Sequence, residues 1–420
     1  MPAVRSEAVH FIAENLGRLF KGGGSMTKTF ENAKAIGYAD LLEKIKAAKL
    51  TEYGLCPEAL ADKIYAACAK EGDVYVHAGL NNADVDGALL DLLKEDPDAV
   101  FSGIAVAGML VGAAAKFLYL PEGAKELTEA VRPKAEEYKL VIVNDIINVR
   151  ESEGDLLLHL ATAKDLADLV DGSYAPGHYV ALPGEAPKKV APDTKITELL
   201  PPEGAKAYYL GYRYYTPEEA EGLTAKDATN AVIRTLGEKD CIVAETAKLL
   251  LKDRAASCGR CVFCREGLIQ LEYMQKEITQ ARGKTNYADL TKEIGEAMGY
   301  NTLCTVGQVS AEIALSAFSK FGAEFDSHIK KNVCPAGVCN SFEHIYIDPS
   351  ACTGCCDCMD VCPKDCIEGK AKFIHMIDEF ECDKCGKCIE ACEEEAIKKT
   401  SGKLPKLPSR LTKVGKFKKH

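Results

Sequence analysis

Apolar positions in the first third of the chain switch between strand and helix spacing. DVYVH at Asp73–His77 and KLVIV at Lys139–Val143 are short apolar runs of the kind buried strands show, with FLYL at Phe117–Leu120 a shorter one. Helical patterns fill the intervals, which predicts an α/β layer over residues 35–150. Within it, Ala99–Ala115 carries no charge and contains Gly108-x-x-x-Gly112. This stretch is at the lower length limit for a membrane span and predicts a helix buried between sheet layers. From Gly154 to Leu200 short strands and Pro/Gly turns dominate, so a small sheet-rich insert is expected at 151–202. Residues 203–333 read as a connector and a helical block. Its helices are expected at Arg265–Arg282, at Asn286–Met298 beyond Gly283 and Lys284, and at Gly307–Lys330, the last with Ile313, Leu315, Phe318, Phe321 and Phe325 on its apolar face. A Cys/His zinc-like hinge at 334–345, a cysteine-dense module at 346–397 and a basic stretch at 398–420 complete the chain. At the other end, residues 1–34 combine an amphipathic helical pattern over Met1–Lys21 with a flexible joint at Gly22, Gly23, Gly24 and Ser25.

Composition changes this picture in two ways. The chain has 420 residues and 19 cysteines, most of them in C-x-x-C runs after Gly237. That is the pattern of metal sites in a reducing compartment, not of a secreted disulfide framework, and it predicts a cytoplasmic protein. Net charge is −11, yet Lys398–His420 is basic without an acid. The basic stretch is either a solvated tail or an arm lying on an acidic partner subunit. The acidic body, with only Phe417 in the basic stretch able to stack on a base, excludes nucleic acid as the expected partner.

The cysteine spacing carries the chemistry. In SCGRCVFCREG, Cys258, Cys261 and Cys264 are each two residues apart, so one tight loop can aim three thiolates at one point. Two helices, one going out and one returning, bring Cys304 back as the fourth ligand of a 4Fe-4S cluster. Further on, Cys352, Cys355, Cys358 and Cys362-Pro363 form the bacterial two-cluster ferredoxin run, and Cys382, Cys385, Cys388 and Cys392 repeat it, with Glu393 at the proline position. In this arrangement the fourth cysteine of each run serves the other run's cluster. One cluster would use Cys352, Cys355, Cys358 and Cys392, and the second Cys382, Cys385, Cys388 and Cys362. Cys56, Cys68, Cys356 and Cys366 lie off these patterns and are expected to be small buried fillers. Cys241, His328, Cys334 and Cys339 offer three thiolates and an imidazole for a closed zinc site, with His344 an alternative fourth ligand. His77, His159 and His178 occur singly, no hydrolytic constellation stands out, and no glycine-rich phosphate loop follows a strand.

The motif Ser-Cys-Gly-x-Cys-x-x-Cys-Arg-x-Gly with a distant fourth cysteine resembles the family of FMN- and NADH-binding subunits of respiratory complex I. Within it, CPAGVC at Cys334–Cys339 and the two-cluster ferredoxin module are most similar to β subunits of multimeric, electron-bifurcating [FeFe] hydrogenases. Asn82-Ala83-Asp84, Glu95-Asp96-Pro97 and Gly103–Ala113 echo the family's flavin domain. The resemblance implies a Rossmann-like α/β layer, a ubiquitin-like β insert, a cluster-bearing helical bundle, the ferredoxin module and a zinc site. It also implies FMN, but the family's glycine-rich flavin loop falls where this chain has YGLCPEALADK, Tyr53–Lys63. Its second nucleotide segment falls where this chain has VRESEGDLLLH, Val149–His159. Without glycines the backbone cannot converge its N–H groups on a phosphate, so loss of FMN and NADH binding is expected. The expected function is therefore an electron-transfer subunit with three 4Fe-4S clusters and a zinc, relaying electrons between a catalytic partner and ferredoxin or a flavoprotein subunit. The alternative is an FMN-containing NADH:acceptor (diaphorase) subunit of a hydrogenase or formate dehydrogenase complex.

Overall fold

The computed structural model describes residues 28–55, 57–401 and 404–417. The amphipathic pattern at Met1–Lys21, the glycine joint and Cys56 lie outside the described residues. The chain is a mixed α/β protein that divides into two compact units. The first takes residues up to Leu236 with 250–269 and 293–316, and the second takes 237–249, 270–292 and 317 onward.

In the first unit, α1 (Lys28–Ile36), α2 (Tyr38–Ala47) and α3 (Leu60–Cys68) precede strand β1 (Tyr75–Gly79). Then come α4 (Leu90–Glu95), α5 (Pro97–Val111), β2 (Ala115–Leu120), α6 (Lys125–Glu137), β3 (Val141–Asn144), β4 (Leu156–His159) and α7 (Leu160–Asp171). The four strands form a sheet in the order β3-β2-β1-β4, every neighbour pair parallel. Alternation along the strands splits them: Val76, Ala78, Leu118, Leu120, Leu156 and Leu158 join the main core with the helices. His77, Phe117, Tyr119 and Leu157 take the opposite face.

Helix α5 is the charge-free stretch, and it is buried, not membrane-spanning. Asp96 caps it by accepting from Ala99 N at 2.9 Å, Pro97 opens it, and Gly112 ends it in the left-handed region at φ 63°. The close packing expected of Gly108-x-x-x-Gly112 is made elsewhere, by Gly103. A Cβ on Gly103 would lie 1.7 Å from the Ala163 carbonyl oxygen of α7.

Residues 154–200 differ from the expected run of short strands. Leu156–His159 extends the parallel sheet and Leu160–Asp171 is a helix, because Leu160, Ala163, Leu166, Ala167 and Val170 follow helical spacing onto the core. Sheet-rich structure begins only at the β5 (His178–Val180) and β6 (Lys188–Val190) hairpin. It continues through the antiparallel sheet of β7 (Ala207–Leu210), β8 (Arg213–Tyr215) and β9 (Ile233–Leu236), over a core of Val180, Ile196, Tyr208, Leu210 and Ile233.

Helices α8 (Ile242–Ala256), α9 (Val262–Thr279), α10 (Tyr287–Asn301) and α11 (Thr305–Lys320) contribute residues to both units. The last expected helix is two: α11 stops at Lys320, Phe321 leaves helical geometry at φ −117°, and α12 (Gly322–Ile329) follows. The second unit ends in the cysteine module, where β10 (Glu343–Ile347) pairs with β11 (Ile397–Ser401) and two short antiparallel pairs flank the cysteine turns. The basic stretch is not a free tail over its described part. Lys398 and Lys399 lie in β11 and pair with Asp348 and Glu343, and Thr412–Lys413 pairs with Phe373–Ile374. Among the described residues no helix is long and apolar enough to cross a membrane.

Candidate metal centres

Helix α8 ends at Ala256 and α9 begins at Val262, leaving a tight loop that carries Cys258 and Cys261, with Cys264 on the first turn of α9. Gly259 turns this loop at φ 73°, and Arg265 Nη1 locks it by donating to Gly259 O at 3.0 Å. Gly267, the glycine that closes the motif, lets the returning helix approach, since a Cβ there would lie 2.4 Å from Met298 Sδ of α10. Cys304 therefore arrives just ahead of α11, beside the three-cysteine loop. Burial first, then the nearby Cys304, Cys258 and Cys261, push the Cys264 thiol up to about 11, against a hydrogen bond with Ser257 Oγ at 3.4 Å. Sulfurs close enough to raise one another's pKa form a donor set suited to a cation. Cys304 is also touched by the Asn82 side chain, which in turn donates to Ile147 O at 2.8 Å and ties the loop after β1 to the thiol group.

In the cysteine module the two interlocked sets come together. Cys352, Cys355, Cys358 and Cys392 line one cavity with Ile347, His375 and Ala396. Cys382, Cys385, Cys388 and Cys362 line the other, together with Cys366. Backbone N–H groups already point at sulfur: Ala396 N donates to Cys392 Sγ at 3.3 Å and Lys384 N to Cys382 Sγ at 3.4 Å. Such donors favour thiolates, the form that binds iron. The donor sets thus fit four-iron clusters.

Cys241, His328, Cys334 and Cys339 form the third kind of site. All four are buried, and their ligand atoms lie within 4.8 Å of one another. Thiolates about 2.3 Å from a tetrahedral zinc sit roughly 3.8 Å apart, and Cys241 and Cys339 have their sulfurs 3.7 Å apart. His328 Nδ1 donates to Glu324 O at 2.8 Å, which leaves Nε2, 3.3 Å from Cys241 Sγ, to face the group. Hydrogen bonds from Cys241 and Cys339 hold Cys334 far below the ordinary thiol value, as an anion would be held. The residues fit zinc. His344, the alternative ligand, is elsewhere, paired with Glu379.

The remaining expectations divide. Cys68 is exposed, at the outer end of α3, not a buried filler. Cys356 is half-buried in the left-handed region at φ 83°, while Cys366 is buried but inside the second cavity. The lone histidines are satisfied groups: buried His77 bonds Asp155 and Tyr119, buried His159 bonds Asp84, and half-buried His178 bonds Tyr53 and Ala228 O.

Two open cavities of about 1090 Å³ and 1240 Å³ flank Asn81 and Asn82 past the C-terminal end of β1, the first reaching Cys304 and the second Cys258 and Arg260. The sheet order reverses between β1 and β4, and nucleotides dock at such switch points, their phosphates on a helix N-terminus. Here that terminus is filled by the chain itself. Glu52 accepts from His159 N, and His159 Nδ1 accepts from Ala161 N at 3.1 Å. Gly54 packs against the Asn81 side chain, and Glu58, Asp62 and Glu153 add negative charge around the first cavity. Two N–H donors at this terminus are therefore already engaged by the chain's own side chains. Sequence spacing carries no sign of Glu52, because the carboxylate reaches the helix from an element far away in the chain.

Residues 246–328 match the NADH-ubiquinone oxidoreductase-F iron-sulfur binding region, and residues 344–393 match the 4Fe-4S dicluster domain. Both matches are to iron–sulfur regions, and they fall on the cysteine sets described above. The NADP-reducing hydrogenase subunit HndC of Solidesulfovibrio fructosivorans is 35% identical over 140 residues, covering 33% of this chain and 29% of that one. An NADH-quinone oxidoreductase subunit of Rhizobium meliloti is 26% identical over 156 residues, 37% of this chain and 35% of that one. The match thus spans about a third of these relatives' length. A solved NAD+-reducing [NiFe]-hydrogenase, in the H2-reduced state, shares the fold with a TM-score of 0.61 at 14% identity, over 72% of this chain and 65% of that chain. The chain thus resembles these relatives in its iron–sulfur regions and the hydrogenase structure in its fold.

Proposed function

We propose that this chain is an electron-relay subunit of a multi-subunit oxidoreductase, with three 4Fe-4S clusters, one structural zinc, and no flavin or NADH site of its own. The observation that carries the reading is the gathering of Cys258, Cys261, Cys264 and Cys304 in one unit, together with the two interlocked sets that the cysteine module gathers in the other. A four-iron cluster supplies a one-electron carrier when bound. The chain's own residues do the rest: they bury the sulfurs, aim N–H donors at them, and set the local charge. In this reading Cys241, His328, Cys334 and Cys339 hold a structural zinc. The small sheet body after His178 stands in the place of the family's ubiquitin-like insert, and the parallel layer is a degenerate flavin domain. Partners are a catalytic subunit, a flavoprotein subunit or ferredoxin, since the relatives are named as subunits of hydrogenases and quinone oxidoreductases.

The capped N-terminus of α7 and the acidic rim support loss of the flavin. The diaphorase alternative draws on the size of the cavity beside Cys304. Replacing Cys304 by Ser tests the relay. About four irons per chain and one EPR species should disappear while the partner subunits still co-purify. Retention of that iron would remove Cys304 from the ligand set.

A further inference from the structure

The two halves of the cysteine module are chemically unequal at one position. Set run against run, Cys362-Pro-Lys-Asp-Cys366 lies opposite Cys392-Glu-Glu-Glu-Ala396. Ala396 lines the first cavity, whose thiols are Cys352, Cys355, Cys358 and Cys392. Cys366 lines the second and makes it a cavity of five thiols, with Cys362, Cys382, Cys385 and Cys388. Its Sγ is 3.5 Å from Cys362 Sγ, and the residue is 6% exposed. Alanine fills the equivalent space in the other half, so packing alone does not call for a sulfur here. Thiolates on a tetrahedral metal, with bonds of about 2.3 Å, sit roughly 3.8 Å apart, so at 3.5 Å from Cys362 Sγ the Cys366 sulfur is close enough to reach the metal that Cys362 would hold.

We propose that Cys366 is a reserve ligand of the second cluster, taking over the iron held by Cys362 when that sulfur is lost. The proposal rests on reading the module as a two-cluster carrier. In the exchange the iron bond to Cys362 breaks and one to Cys366 forms. The Cys366 thiol proton passes to the departing Cys362 thiolate, and no electron moves. The second cluster is thereby protected against loss of one ligand, and the first is not.

The test uses the full chain, prepared anaerobically, with iron and sulfide analysis and EPR of the reduced protein. Cys362→Ala should keep its iron with an altered EPR signal, whereas Cys362→Ala with Cys366→Ala should lose about four irons. Cys392→Ala, facing Ala396, should lose about four irons by itself, and adding Ala396→Cys should restore them. Iron loss from Cys362→Ala equal to that of the double variant, or failure of Ala396→Cys to rescue, overturns the proposal. A shortage of iron in the unsubstituted chain would instead overturn the two-cluster reading beneath it.

Discussion

Asp253 on α8 is 2% exposed and packs toward Ser310 of α11, with one carboxylate oxygen left without a hydrogen bond. Burial, and secondarily the charge of Asp86, push its carboxyl up to about 7 from the ordinary 3.8, against relief from Ser310 and Lys252. Below the ordinary value both folded and unfolded chains hold the proton, and the group costs nothing. Between 3.8 and 7 the folded chain keeps a proton that the unfolded chain has released, so stability falls as pH rises. Above 7 the full cost is present. At about 1.4 kcal/mol per pH unit it amounts to roughly 4 kcal/mol. Asp253→Asn should therefore gain stability above pH 7 relative to pH 4 by up to that amount, measured against the unsubstituted chain, since whatever an unpaired buried amide costs is the same at both pH values. The assay is anaerobic urea unfolding of both proteins across the pH range, followed by circular dichroism of the helices. Equal pH profiles for the two proteins would rule out a buried, proton-holding Asp253.

Three further changes probe separate links. Gly103→Ala drives a methyl group into the Ala163 carbonyl, so α5 and α7 must part, and the thermal midpoint should drop by the equivalent of about 1–3 kcal/mol or more. An unchanged midpoint would show that the helix pair yields freely. Cys339→Ala should abolish zinc, measured by plasma mass spectrometry, while leaving iron in place. Phe373 and Ile374 pair with Thr412–Lys413, so Thr412→Pro should raise amide exchange at both strands without changing iron content.

Much of the chemistry is visible in the sequence because cysteine ligand spacing is local. The two runs around Cys352 and Cys382 announce themselves within a few residues, and the loop at Cys258 needs only a helical return to meet Cys304. What the sequence hides is set by contacts between distant residues. Strand 156–159 looks like part of a sheet-rich insert until its pairing with β1 is seen, because a short apolar run does not name its neighbour. Gly103 is inconspicuous beside the more familiar Gly108-x-x-x-Gly112, since which glycine meets another helix depends on the face that helix presents. Cys366 is buried as expected, but that it shares a cavity with four other thiols is not visible in helix and turn patterns. Its signal lies in the alignment of the two runs, as a cysteine opposite an alanine.

A chain that carries clusters and lacks a flavin should differ from a diaphorase in a single preparation. The decisive measurement is metal and flavin analysis of the anaerobically purified full chain, with NADH added while the cluster absorbance is followed. About 12 irons from three four-iron clusters are expected, with no stoichiometric flavin and no bleaching by NADH. One flavin per chain with prompt bleaching of the cluster absorbance would contradict the relay reading.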